Sequence, residues 1–69
     1  MADGAKDKNY NLVTFLQESL QNVWTLDQYA QDAQGDQELT DLFQKAQQEN
    51  QNGADQAKKL LAQRLQEEG

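Results

Sequence analysis

The chain contains no cysteine, no histidine and no proline among its 69 residues. Without cysteine, neither a disulfide nor a thiolate metal site can staple it. Without histidine it lacks the commonest metal ligand and the commonest acid–base group near neutral pH. Without proline, nothing in the composition interrupts a long helix. Positive charge is also scarce: five lysines and one arginine face twelve acidic residues, for a net charge of −6. Lys6 and Lys8 lie near the start, Lys45 stands alone, and Lys58-Lys59 lie near the end. No basic stripe exists to meet phosphates, so neither nucleic acid nor an anionic membrane surface is an expected partner. No apolar run approaches a membrane span, and Met1–Asn9 holds no hydrophobic core of a secretory signal. The cytoplasm is the expected compartment.

What is present points to helices. Thirteen glutamines make the surface polar more than charged. Met1 to Asn9 is short, polar and without periodicity, and reads as an unstructured leader before a domain over 10–69. Asn9 or Asn11 can cap a first helix. That helix is expected over about 10–34, with Leu12, Leu16, Leu20, Val23, Ala30 and Ala33 near one face. Val13 and Trp24 widen the face on one flank, Phe15 and Leu26 on the other.

Gly35-Asp36 is the clearest punctuation. Glycine suits the left-handed position just past a helix end, and aspartate caps the next helix. So tight a connection makes the helices antiparallel neighbours. The second helix is expected over about 37–67. Along it Leu39, Phe43, Ala46, Asn50, Gly53, Ala57, Leu60 and Arg64 recur at three- and four-residue steps. Asn52-Gly53 looks locally like a turn. The spacing nevertheless passes through it without a phase slip, so the helix is expected to continue.

With the turn at Gly35, residues whose numbers add to about 70 share a level along the hairpin. Trp24 then faces Ala46, Leu20 faces Asn50, Leu16 faces Ala54, and Val13 faces Ala57. Phe43 lies opposite Asp27, and Leu61 and Leu65 project past the start of the first helix. Large residues meeting small ones would fill a core at native density. The apolar sector of the first helix is wider than one contact needs, and Leu42 and Leu60 sit on the shoulder of the second. The fold class expected is therefore an all-α two-helix hairpin that dimerises into a four-helix bundle through a self-complementary interface. Phe15, Leu16, Leu20, Val23, Trp24, Leu26, Leu42, Phe43 and Leu60 would pack its core and dimer contact.

Three polar residues fall on or beside the apolar faces. Asp27 lies between Leu20, Val23, Trp24 and Ala30, where a carboxylate needs a partner such as Gln31, Gln44 or Gln47. Asn50 is expected to pair with Ser19 or with Asn50 of another copy, and one buried amide can set register. Arg64 is long enough to reach solvent from the same stripe. Tyr29 is the aromatic expected to face solvent.

Trp24-Thr25-Leu26-Asp27-Gln28-Tyr29 and Gly35-Asp36-Gln37-Glu38-Leu39-Thr40-Asp41-Leu42-Phe43 look like the turn-proximal part of a ferritin-like hairpin. Over about Leu12 to Leu65 the chain resembles half of such a four-helix bundle. The resemblance implies a di-metal site made by a Glu on one helix and Glu-x-x-His on the next. At the matching depth stands Gln47-Gln48-Glu49-Asn50, with Gln47 and Asn50 in place of Glu and His. Leu20 or Val23 fills the level of the first-helix Glu, and Glu18 and Glu49 project away from the apolar face. Those residues cannot hold two irons, so no metal, cofactor or catalytic residue is expected.

The leading expectation is a non-enzymatic homodimeric helical protein. One alternative is a carboxylate metal-binding protein using Asp27 and Glu49, although no loop has EF-hand spacing. Another is an adaptor that binds a different protein through Phe15, Leu26, Leu42 and Leu60.

Overall fold

The computed structural model describes the backbone of residues 4–68 and the side chains of 8–67. Two helices, α1 (Gly4–Asp32) and α2 (Gln37–Glu68), pack against each other as a hairpin. α1 begins six residues before the expected start, so the leader expected over 1–9 is helical from Gly4 onward; Met1–Asp3 lie outside the described residues. Ala5, Lys6 and Lys8 are good helix formers, and nothing in that stretch stops a helix. Asn9 and Asn11 therefore sit inside α1, past its N-cap. Leu61 is partly covered, and Leu65 is exposed.

The turn is built as its residues dictate. Gly35 has φ 98°, a conformation that costs glycine little because it has no Cβ. The Asp36 amide donates to the Ala33 carbonyl at 2.9 Å, and the Thr40 hydroxyl donates to the same oxygen at 3.0 Å. Asp36 Oδ1 accepts from the Leu39 amide at 3.1 Å, the N-cap bond to the third helical residue. Glu38 adds negative charge to that first turn. Nothing lies within 4 Å of a Cβ built on Gly35, so Gly35→Ala meets no clash. It still loses about 1 kcal/mol through the left-handed backbone, measurable by urea denaturation.

α2 runs through Asn52-Gly53 without a break. A Cβ built on Gly53 would lie 3.2 Å from Phe15 Cζ and 3.6 Å from Cε2, so the Phe15 ring lies over the glycine. That ring is half exposed and can yield a few tenths of an ångström. Helix propensity favours alanine by about 0.8–1 kcal/mol. Gly53→Ala is accordingly expected to raise the unfolding free energy by about 0.5 kcal/mol, and a loss in urea denaturation would show the ring to be fixed.

The cross-helix register follows the turn. Phe15 lies over Gly53, Gln47 Nε2 donates to the Val23 carbonyl at 3.1 Å, and Asn22 reaches Asn50. The Tyr29 and Phe43 rings meet at 5.4 Å with planes tilted by 58°. Each pair falls close to the total of about 70 set by a turn at Gly35. What packs at that register differs from expectation. The buried side chains are Ala30, Ala33, Ala54, Ala57 and Ser19, so small residues line both sides of the contact. Trp24 is 67% exposed and does not fill a pocket at Ala46; Val13 and Leu20 are also exposed. The cause is rotational. α1 turns Ser19 and Ala30 toward α2, which carries Leu20 and Trp24, one residue on from Ser19 and Val23, around to the side. Phe43 meets Tyr29, not Asp27.

Candidate functional site

The hairpin has two broad sides, and both carry exposed apolar side chains. Helical projection places Val13, Leu16, Leu20 and Trp24 of α1 on the side where Gln47 reaches Val23. α2 adds Gln44, Gln47 and Gln51 there. Those glutamines, with Val23 and Gln48, line a hollow of about 230 Å³. The other side is where Phe15 crosses Gly53. It holds Phe15 and Tyr29 of α1 with Leu42 and Leu60 of α2, along with Glu18 and Glu49. Phe15, Leu42 and Leu60 are about half exposed, whereas Leu16, Val23, Leu26 and Phe43 are partly covered. Near the turn, Tyr29, Asp32, Ala33, Leu39 and Phe43 line a shallow hollow of about 300 Å³.

The polar candidates are engaged within the chain. Asp27 is half buried, and its Oδ2 accepts from Gln31 Nε2 at 2.9 Å, one helical turn on. Ser19 is buried in the helix contact. The partner of Asn50 across the hairpin is Asn22, whose Nδ2 donates to Asn50 Oδ1 at 3.3 Å. Asn50 Nδ2 donates to the Ala46 carbonyl at 2.8 Å. Asn22 lies two residues from the level that counting from Gly35 gives Asn50, and the rotation of α1 brings it there in place of Leu20 or Ser19. Arg64 is exposed, as its length suggested. Tyr29 is half exposed, but Trp24 and Tyr10 face solvent more fully.

Among the described residues, no group of three or more His, Cys, Asp or Glu side chains could hold a metal ion. No helix among them is long and apolar enough to cross a membrane. No family model, curated protein or solved structure matches this chain. The two broad sides offer exposed apolar side chains flanked by amide groups.

Proposed function

We propose that the chain is a non-enzymatic self-associating module whose working form is a homodimeric four-helix bundle. The observation that carries this is the exposure of its large apolar residues: among the described residues no large side chain is fully buried, whereas Trp24, Leu20, Phe15, Leu42 and Leu60 lie open. The dimensions agree. The hairpin measures 49 × 25 × 13 Å, one helix layer thick. Its radius of gyration is 15.6 Å, against about 11 Å for a compact domain of this length.

Surface area gives the same direction. The chain exposes 5470 Å². A folded monomer of its mass is expected to expose about 4,400 Å². The excess, about 1,100 Å², exceeds the roughly 800 Å² per partner of a standard stable interface. A second hairpin laid on the first supplies the missing layer and a two-fold axis closes the assembly. Light scattering across a dilution series tests this: a mass of twice 7.8 kDa is expected at micromolar concentration. A constant mass of one chain would overturn it and favour a different protein as the occupant.

A further inference from the structure

We infer, resting on that self-association, that the second copy docks on the Trp24 side of the hairpin with the two α1 helices antiparallel. Three observations select this arrangement. The first is charge. Between Val13 and Trp24 of α1, helical projection puts no charged side chain on this side; α2 adds Asp55, whose Oδ1 accepts from Gln51 Nε2 at 3.1 Å, with Lys58 one turn on. The opposite side carries Glu18 and Glu49 near its middle. Pairing that side about a central two-fold would gather four carboxylates in a closing interface, against two from Asp55 on the Trp24 side, and so carries the larger desolvation and repulsion cost.

The second observation is the division of the Trp24 side into an apolar half and an amide half. α1 presents Val13, Leu16, Leu20 and Trp24, whereas α2 presents Gln44, Gln47 and Gln51, with Asp55 hydrogen-bonded to Gln51. Two hairpins can stack on a two-fold axis in two ways. One lays α1 over the partner's α2, setting leucines on glutamines. The other lays α1 antiparallel over α1 and α2 antiparallel over α2. Only the second sets apolar on apolar and amide on amide, and glutamine can both donate and accept across such a contact.

The third is the spacing along α1. In the antiparallel arrangement with its centre between Glu18 and Ser19, Trp24 meets the second copy's Val13, and Leu16 comes within one residue of its Leu20. Large against small at one pair and leucine against leucine at the other fills the seam evenly. The two Asp27 carboxylates end about 26 Å apart along the helices, whereas a parallel pairing would set them together. At the same level, Gln51 of α2 comes close to its own copy.

Cross-linking and the single native tryptophan test the arrangement separately from the self-association it rests on. Equimolar Val13→Cys and Trp24→Cys chains, mixed and mildly oxidised, are expected to yield the mixed disulfide dimer. Same-variant dimers are not expected, because two copies of residue 13 lie about 16 Å apart along the helices, beyond disulfide reach. In the native chain, Trp24 emission should move to longer wavelength as dilution dissociates the dimer. Leu20→Glu should weaken association by roughly a hundredfold or more, and Leu42→Glu by less than about threefold. Same-variant disulfides alone would overturn the antiparallel pairing. A persisting dimer mass with Trp24 emission solvent-like throughout, or with Leu42→Glu the dissociating change, would overturn the choice of face while leaving self-association standing. A monomeric native chain would overturn both.

Discussion

Ala54→Leu is expected to lower the unfolding midpoint by about 10 °C or more, the signature of a helix contact that admits no added volume. Ala54 has 0% of its surface exposed and Ala57 has 2%, with Ser19, Ala30 and Ala33 the other buried side chains. Helices that touch through alanine and serine run close together, so dispersion contacts between their backbones replace interlocking of large side chains. Three extra carbon atoms at Ala54 have no space to enter. Either the helices separate or the leucine leaves its rotamer, and both routes cost about 1–3 kcal/mol. In so small a chain each kcal/mol is about 4–8 °C. Ala62→Leu is the matched control: Ala62 is exposed on the same helix, and leucine and alanine differ little in helix propensity. Thermal unfolding followed by circular dichroism reads both. Equal midpoints for the two variants would mean that the close alanine contact does not hold the hairpin.

The second large effect is a concentration dependence of stability in the native chain. A hairpin whose buried set among the described residues is four alanines and one serine has little apolar area to set against the entropy of ordering its chain. If association supplies the second layer, folding and dimerisation are linked and the midpoint depends on protein concentration. A hundredfold dilution removes about 2.7 kcal/mol per dimer. With the usual unfolding entropy per residue, that lowers the midpoint by about 10 °C. Helicity and Trp24 emission should change together, since the hairpin and the seam dissolve in one transition. A midpoint independent of concentration would point to a hairpin stable by itself.

The elements that were legible in the sequence are those set by local chemistry. Gly35-Asp36 marks a turn because one residue tolerates positive φ and the next caps a helix. The register then follows by counting outward from the turn, which is why Val23 with Gln47 falls where it does, and Tyr29 with Phe43 within two residues of it. Continuity through Asn52-Gly53 was legible because the apolar spacing kept its phase. The rotation of α1 was not. A hydrophobic pattern points toward its largest members, here Leu16, Leu20 and Trp24, while close approach is decided by the smallest, Ser19, Ala30 and Ala33. When the two lie on different sides of one helix, the pattern marks two faces and does not say which meets the other helix. The start of α1 was hidden for a different reason: Gly4–Asn9 has helix-forming residues but no apolar periodicity to reveal them. The polar pairing was half legible. Asp27 with Gln31 follows from the four-residue helix step, whereas Asn50 with Asn22 needed the true rotation of α1.

The central claim, that one hairpin is half of the working molecule, is tested most directly by sedimentation equilibrium of the native chain. A four-helix dimer gives a mass of twice 7.8 kDa at micromolar concentration, falling toward one chain only on dilution. A mass of one chain at every concentration, with helicity intact, would contradict it.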